Sequence, residues 1–438
     1  MPGKVFRRKL EGRVPIAVEA DGIWIIDEQG KRYMDASGGA VVVNLGHARQ
    51  EIAQAVSEQI LKGYYAHPTM FTTQPVEDLA QALGKHTPEG IERFYFLSGG
   101  AEAVETAIKL ARQIHLAQDR PQRVRLIARW KSYHGLTLGA LSAMGRTTFR
   151  TPFTPMLTEV EHIPPPYCLR CAFGLSHPQC GLRCALALED AILNLGPDVV
   201  TAFLAETISG ATIAAYPPPE GYWKLIREIC DRYEVLLIQD EVMVGMGRTG
   251  RWFASEHYDV VPDIMTMGKG ISGGAVALSA VGVQEKHFQA VRQAGGFVHG
   301  GTYTHHPVAA AAGLAAVGII EREGLVERAD ALGKKMGQML KERLGDHPQV
   351  GDVRGKGMLW GVEVVKDKSS LEPYPRKEKV TERLWQHLFD QGVIVYKSTG
   401  LAGADGDALV LAPPFVITEE ELGLVIDKVG QAIDEVLG

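Results

Sequence analysis

The chain has 438 residues, of which 45% are hydrophobic and 22% charged, and its formal net charge is −6. This length and composition predict a globular protein with two or three domains. The negative balance argues against nucleic acid as a partner, because no basic excess is present to neutralise phosphates. No apolar run approaches the roughly 20 residues that span a bilayer, and no secretory signal is recognisable, so we expect a cytoplasmic protein without membrane association.

The first predicted elements form a hairpin followed by a helix. Residues 23–26 and 32–34 flank the turn Asp27-Glu-Gln-Gly30, a pattern typical of two short antiparallel strands. A helix is predicted near residues 49–61.

Buried strands and helices alternate through the middle of the chain. Apolar runs bounded by turn residues predict strands at residues 93–97, 199–205, 235–239 and 263–267. Between the first two, residues 101–114 carry an apolar stripe that predicts a helix. Strands that alternate with helices indicate a mostly parallel sheet covered on both faces.

The last third of the chain indicates a second, smaller α+β domain. Helices are predicted at 308–322, 332–344 and 378–391 and from Glu419 onward, with a strand at 358–365. We therefore expect a large domain over residues 61–317 and a small domain built from residues 1–60 and 318–438.

Small or polar residues follow several of the predicted strands, where ligands gather in parallel α/β sheets. Gly99, Gly100 and Ala101 lie where a helix opens, and the free N–H groups and dipole of a helix start suit a phosphate. An ordinary tight turn is the alternative interpretation of these residues.

Two charged residues hold similar positions. Asp240 directly follows a buried apolar strand, where a carboxylate is costly unless it pairs with a cation, although a capping role is the simpler alternative. Lys269 ends another buried run between two glycines, which gives the desolvation and backbone room that Schiff-base chemistry needs. A solvated surface lysine is the alternative there. Tyr133, in the sequence Tyr133-His-Gly, offers a ring that could stack on a flat cofactor.

The order and spacing of these motifs resemble those of the class III, or ω-type, aminotransferases, which are pyridoxal-5'-phosphate (PLP) enzymes of fold type I. The resemblance extends over essentially the whole chain. The motifs that carry it are residues 98–112, Tyr133-His-Gly, Glu206, Asp240-Glu-Val, Gly247-Arg-Thr-Gly250, Gly268-Lys-Gly270, Gly301-Thr-Tyr303, His306-Pro307, Arg354-Gly-Lys-Gly357 and Ala412-Pro-Pro-Phe415.

The resemblance implies an α/β fold whose large domain holds a mostly parallel seven-stranded sheet between helices, beside the smaller α+β domain from both termini. It implies an aminotransferase that moves an amino group from a primary amine, a diamine or an ω-amino acid to a keto acid. Another fold type I reaction on an amino compound, by a lyase, a decarboxylase or an aminomutase, is the alternative, because small pocket differences redirect the cofactor's chemistry.

The resemblance also assigns roles to individual residues. Lys269 is expected to carry PLP covalently and to transfer the proton, and Asp240 to pair with the ring nitrogen. Thr302 is expected to reach the cofactor phosphate of a neighbouring subunit, which implies a homodimer, with a tetramer as the larger alternative. The other expected roles are phosphate binding by Gly99, Gly100 and Ala101, ring contacts by Tyr133, His134 and Val242, and a position near the cofactor for Glu206.

Substrate preference is predicted from two departures from the family pattern. Val41 stands where the amine:pyruvate branch often has an aromatic residue, which predicts a roomier pocket. Residues 397–407, interpreted as a loop, contain no arginine to grip a carboxylate and leave only Lys397 as a nearby cation. We therefore expect amines without a carboxylate on the reacting carbon, with pyruvate preferred over 2-oxoglutarate as the acceptor.

Three further features leave alternatives open. Gly245, Gly247 and Gly250 form a literal G-x-G-x-x-G, the fingerprint of dinucleotide enzymes, but no first βαβ unit surrounds it. Thr207 replaces the proline that usually follows the family's glutamate, so the loop after Glu206 is expected to sit differently. Four cysteines cluster at Cys168, Cys171, Cys180 and Cys184; we interpret them as reduced thiols with no metal, and a structural zinc ion is the alternative.

Overall fold

The computed structural model describes residues 4–8, 12 and 14–438. It begins with three antiparallel strands, β1 (Ala17–Asp21), β2 (Trp24–Asp27) and β3 (Arg32–Asp35). Three helices follow, α1 (Gly38–Val41), α2 (Gln50–Lys62) and α3 (Gln74–Gly84). The predicted hairpin and the helix near residues 49–61 are both present.

A seven-stranded sheet forms the centre of the molecule, in the order β4-β10-β9-β8-β7-β5-β6. Strand β10 runs antiparallel to both of its neighbours, and the other six strands all point the same way. This confirms the mostly parallel seven-stranded sheet. Its strands are β4 (Ile91–Leu97), β5 (Arg125–Arg129), β6 (Val160–Ile163), β7 (Val200–Glu206), β8 (Leu236–Asp240), β9 (Ile264–Met267) and β10 (Ser279–Gln284).

Helices cover this sheet and continue beyond it. They are α4 (Gly100–Ala117), α5 (Leu138–Ala143), α6 (Thr147–Arg150), α7 (Arg183–Leu195), α8 (Tyr222–Arg232), α9 (Glu285–Gln293), α10 (Pro307–Arg322) and α11 (Leu325–Leu344). Helix α4 packs closely because Ala103, Ala107 and Ala111 are fully buried on one stripe. Helix α11 begins seven residues before the predicted residue 332, because Leu325 and Ala329 extend its buried stripe toward the N-terminus.

The C-terminal part adds a second four-stranded sheet, in the order β11-β12-β15-β14. The prediction of a loop over residues 397–407 was wrong, because these residues lie mostly in the antiparallel hairpin of β14 and β15. The short strand β13 pairs in parallel with β3, so both ends of the chain build one sheet. The elements are β11 (Val350–Lys356), β12 (Leu359–Val364), α12 (Val380–Asp390), β13 (Val393–Ile394), β14 (Tyr396–Ala402), β15 (Asp405–Leu411) and α13 (Glu419–Leu437).

Short 3-10 turns connect several of these elements. They lie at Thr151–Met156, Cys168–Arg170, Pro197–Val199, Ala254–Tyr258, Lys269–Ser272 and Arg376–Glu378. Within the described residues, no helix combines the length and apolarity needed to cross a membrane. The α+β part from both termini is confirmed, and the domain boundaries at residues 60 and 317 stay a prediction.

Candidate active site

The carboxyl ends of β7, β8 and β9 bring the predicted chemistry together. Glu206 and Asp240 are register partners at the ends of β7 and β8, and Asp240 pairs in turn with Thr266 of β9. Lys269 follows β9 after a single glycine. Because these parallel strands end at the same edge, all three chargeable side chains line one cavity of about 250 Å³. The other predicted residues on its wall are Gly100, Ala101, Tyr133, His134 and Val242.

Lys269 adopts a left-handed backbone conformation, with φ of 49°, that few non-glycine residues take. Gly270, which follows Lys269, lies against the side chain of Asn44: a Cβ at Gly270 would be 2.7 Å from Nδ2 of Asn44, so only glycine fits there without a shift. Burial lowers the pKa of Lys269 to about 8, although the carboxylates of Asp240 and Glu206 act to raise it. The lysine amine is therefore far closer to neutrality at physiological pH than an ordinary lysine, as a nucleophile requires.

Asp240 is buried and held by three polar contacts. Its Oδ1 accepts hydrogen bonds from the backbone N–H of Val242, at 3.0 Å, and from the hydroxyl of Thr266, at 3.1 Å. Its Oδ2 lies 2.8 Å from Nδ1 of His134. Within the described residues, the buried Nε2 of His134 has no hydrogen-bond partner. Contacts on both oxygens fix the direction of the carboxylate at the cavity.

Glu206 connects the end of β7 to the residues on either side of the cavity. Its carboxylate accepts hydrogen bonds from the backbone N–H of Tyr133, at 3.3 Å, and of Gly210, at 3.2 Å. Burial raises the pKa of this carboxyl, and the charge of His134 partly opposes the shift. Glu206 therefore positions the Tyr133 backbone while presenting a carboxyl group to the cavity.

The departure at Thr207 has a structural reason. The Thr207 hydroxyl donates a hydrogen bond to Oε1 of Glu241 at 2.6 Å, and the Trp223 indole donates to the Thr207 carbonyl at 2.9 Å. Burial raises the pKa of Glu241 to about 7. A proline at this position has no hydroxyl to offer, so the threonine stabilises a buried carboxyl that a proline would leave with one partner fewer.

The N-terminus of α4 offers backbone N–H groups, which suit an anion. Oε2 of Glu102 accepts the backbone N–H groups of Ser98 and Gly99, at 3.0 and 3.1 Å, which leaves Gly100 and Ala101 as the first amides facing the cavity. A Cβ at Gly100 would lie 2.9 Å from Cγ1 of Val242, so glycine lets that valine close in. Gly99 itself lies behind the cavity wall, where its carbonyl accepts the Ser279 hydroxyl at 2.9 Å.

Besides Gly99, two predicted residues do not line this cavity. Thr302 lines a separate cavity that also contains Ser98 and His299. Val41 is 3% exposed and belongs to a buried apolar cluster with Ile208 and Val244, two residues that do line the cavity. Val41 therefore supports the wall from behind and does not touch the space beside Lys269.

Sequence reasoning missed most of the apolar wall. Leu136, Ile208, Ala211, Met243 and Val244 complete the lining, and all of them lie in turns that follow strands. Their positions one to eight residues after predicted strand ends or motif residues were the available signal, but apolar residues in turns carry no chemical signature of their own.

The alternatives from other enzyme classes gain no support from the geometry. Residues 242–250 form consecutive turns and no helix opens at Gly247, so the free helix N-terminus that a dinucleotide phosphate needs is missing there. Its neighbour Arg248 is instead buried and donates to the carbonyls of Met358 and Pro413.

Cys168 and the other three clustered cysteines are partly buried free thiols. Among the described residues, no group of three or more potential ligands is arranged to hold a metal ion.

Comparison with known proteins agrees with this geometry. The profile of the family Aminotransferase class-III matches residues 8–433. The chain belongs to the class III aminotransferases. It is 34% identical to putrescine–pyruvate aminotransferase of Pseudomonas aeruginosa over 427 residues, which cover 96% of this chain and 90% of that protein. It is also 34% identical to diaminobutyrate–2-oxoglutarate transaminase of Halomonas elongata, covering 95% of this chain and 89% of that protein.

Solved structures of the family share the fold of this aminotransferase. The ω-transaminase of Pseudomonas jessenii, determined in complex with PMP, superposes with a TM-score of 0.91 at 31% sequence identity, covering 97% of this chain and 93% of that chain. Class III aminotransferases are PLP-dependent enzymes of fold type I. The enzyme class and the fold expected from the sequence are therefore both confirmed.

Proposed function

We propose that this aminotransferase uses PLP held by Lys269 to move an amino group from a primary amine, a diamine or an ω-amino acid to a keto acid. The observation that carries the proposal is the cavity itself, where an amine of lowered pKa lies at the same sheet edge as a buried carboxylate. A lysine so placed is a nucleophile and a proton carrier, and a carboxylate so placed stabilises a cationic ring nitrogen.

The residues around the cavity suit this cofactor. Lys269 can bond its aldehyde carbon, Asp240 can pair with its ring nitrogen, and the amides of Gly100 and Ala101 can receive its phosphate. Tyr133, whose half-buried ring lines the cavity, offers one flat contact face. When bound, PLP supplies an electron sink that stabilises the negative charge left on the reacting carbon when its proton is removed.

The chain's own residues then have separate tasks. The Lys269 amine, once released, is positioned to take a proton from the substrate carbon and to deliver it again, because its pKa of about 8 lies near the working pH. The contacts with Val242, Thr266 and His134 hold the Asp240 carboxylate in place to face a cationic ring nitrogen. The apolar wall excludes water from the reacting atoms, which strengthens these electrostatic interactions.

The amine class follows from the composition of the wall. Apolar residues dominate it, and no arginine is among the described residues that line the cavity. An apolar wall favours an alkyl or aryl group next to the reacting carbon, at about 0.8 kcal/mol for each methylene buried. The proposed donor preference therefore rests on these apolar contacts.

A homodimer completes the proposal. Exposed apolar side chains lie beside the cavity of Thr302, since the rings of Tyr65 and Tyr303 both approach His306, at 6.5 and 5.9 Å. Tyr303 is 62% exposed and Tyr65 is 43% exposed. Clustered exposed apolar residues of this kind mark an interface, and a partner there would bring Thr302 next to a second copy.

The test is an initial-rate panel on the purified protein. The donors are a benzylic amine, a long diamine, 4-aminobutyrate and L-ornithine, each with pyruvate and with 2-oxoglutarate, and Lys269→Ala serves as the inactive control. The proposal expects turnover of the benzylic amine and the diamine. Reaction of L-ornithine alone among the four donors, at its α-amino group, would contradict the proposed amine class.

A further inference from the structure

An arginine from a distant part of the chain reaches the β14–β15 hairpin. Arg146 lies between α5 and α6, and its Nη2 donates to the hydroxyl of Thr399 on β14 at 2.7 Å. Lys397, the cation expected to matter on this hairpin, instead packs with its ammonium 4.3 Å from the centre of the Trp385 ring. Residues 397–407 contain no arginine, but the expectation that Lys397 is the only cation near them was wrong.

Arg146 and Lys131 line a second cavity, of about 230 Å³. Consecutive residues of the chain line this cavity and the one beside Lys269. Ala211 lines the Lys269 cavity and Thr212 lines the second one. Tyr133, on the wall of the Lys269 cavity, also lies near Arg146: its ring centre is 6.3 Å from that of Phe149, and the Arg146 guanidinium lies 4.9 Å from the centre of the Phe149 ring.

The second cavity is cationic. Its remaining lining consists of glycines, threonines and Trp130, with no carboxylate among the described residues on its wall. The Lys131 ammonium donates to the carbonyl of Gly400 at 2.9 Å. The Nε of Arg146 is buried and finds no hydrogen-bond partner within the described part of the chain.

The electrostatic surroundings of both cations are unfavourable in the absence of an anion. Burial lowers the pKa of Arg146, and the Tyr396 and Tyr133 hydroxyls oppose that shift only in part. Burial likewise lowers the pKa of Lys131, with Glu363 acting in the opposite direction. Two partly buried cations that line the same cavity favour an anionic partner, which offsets their desolvation.

We propose that the cavity between Arg146 and Lys131 binds the remote carboxylate of a dicarboxylic keto acid. The inference rests on the proposed function and chooses the acceptor within it. A carboxylate on the reacting carbon must remain beside Lys269, whereas a second carboxylate, on the order of 4 Å farther along the carbon chain, can enter the second cavity. A guanidinium with a neighbouring ammonium suits a carboxylate held in this way. A 2-oxoglutarate-like acceptor is thereby favoured over pyruvate.

Binding of a non-reacting probe tests the site directly. Glutarate has two carboxylates and no carbonyl, and glutaramide is its neutral counterpart. Titration calorimetry of the cofactor-loaded enzyme should show glutarate binding in competition with 2-oxoglutarate and no comparable binding of glutaramide. Arg146→Gln should weaken glutarate binding about tenfold or more, the factor that one charge-assisted hydrogen bond gives. The matched control Lys397→Gln removes a positive charge from the same hairpin outside the cavity and should bind glutarate as the unmodified enzyme does.

Kinetic measurements distinguish failure of the carboxylate site from failure of the proposed function. In Arg146→Gln, the KM for 2-oxoglutarate should rise about tenfold, the KM for pyruvate should change less than about threefold, and single-turnover reaction with a benzylic amine should be unaltered. Equal effects on both keto acids, or no effect on either, would overturn the carboxylate site. Failure of the unmodified enzyme to react with any amine would instead overturn the proposed function. If Arg146→Gln does not fold, Lys131→Gln and Arg146→Lys carry the same comparison.

Discussion

The lowered pKa of Lys269 predicts how fast the protein captures its cofactor at each pH. With a pKa of about 8, roughly 10% of the amine is neutral at pH 7. An ordinary lysine of pKa near 10.4 is only about 0.04% neutral there, so the reactive fraction differs by a factor of a few hundred. The cause is burial, which Asp240 and Glu206 oppose without cancelling.

The assay is stopped-flow mixing of the cofactor-free enzyme with excess PLP between pH 6 and 10.5, with Nα-acetyl-lysine as the reference amine. Titration of the aldehyde affects both reactions equally, so the ratio of the rates isolates the amine. This ratio should be largest below pH 8 and should fall about tenfold per pH unit from there toward pH 10. Asp240→Asn removes a carboxylate that raises the pKa of Lys269 and should move the start of the fall to lower pH. A ratio that is constant across the range, or a shift to higher pH in that variant, would refute the reasoning.

Other predictions concern turnover, stability and substrate size. Asp240→Asn should slow the single-turnover proton transfer from a benzylic amine about a thousandfold, because a neutral partner no longer stabilises a cationic ring. A near-normal rate would mean that Asp240 has only a structural role. Although burial raises the pKa of Asp263, its hydrogen bond with His287 and the charge of Arg227 outweigh burial and hold that pKa far below its usual range. The stabilisation that Asp263 contributes is therefore present above about pH 4 and lost as the pH falls below it. Asp263→Asn should lower the free energy of unfolding by about 3 kcal/mol in urea at pH 7 and remove that acid sensitivity. An unchanged unfolding midpoint in this variant would contradict the prediction. Val41→Phe should push the cavity wall inward and lower kcat/KM for a benzylic amine about tenfold relative to propylamine. Equal losses for the two amines would show that Val41 does not control the size of the substrate.

The central sheet was predictable where strands are buried on both faces. Every residue of β7 and β8 is buried, and their continuous apolar sequences indicate this. Strand β6, at the edge of the sheet, reads Val-Glu-His-Ile and has only one fully buried residue, so no comparable run marks it. A strand at the edge of a sheet has fewer apolar neighbours, so its sequence lacks a recognisable apolar pattern.

The shared position of Lys269 and Asp240 was predictable because Asp240 ends one strand of the central sheet and Lys269 follows another. Lys269 and Asp240 break long apolar runs, and a charge in such a position is costly unless a partner or a ligand compensates it. Topology then brings them together, since parallel strands end at one edge. The same reasoning does not extend to His134, whose contact with Asp240 depends on how the loop after β5 folds back.

Long-range contacts account for what the sequence could not reveal. Arg146 meets Thr399 across 253 residues, and neither residue belongs to a motif that indicates the pairing. The hairpin was misread as a loop because glycines at 400, 403 and 406 interrupt its alternation, although Gly403 and Gly406 occupy left-handed conformations that a tight turn uses. The proposed carboxylate site therefore depends on a contact that only the folded chain assembles.

The claim that Lys269 holds the cofactor has a direct chemical test. The purified protein should be yellow, and borohydride reduction followed by proteolysis and mass spectrometry should place one phosphopyridoxyl group per chain on the peptide containing Lys269. Lys269→Ala should show no such group and no turnover. Labelling of a different lysine, or undiminished turnover by Lys269→Ala, would contradict the account.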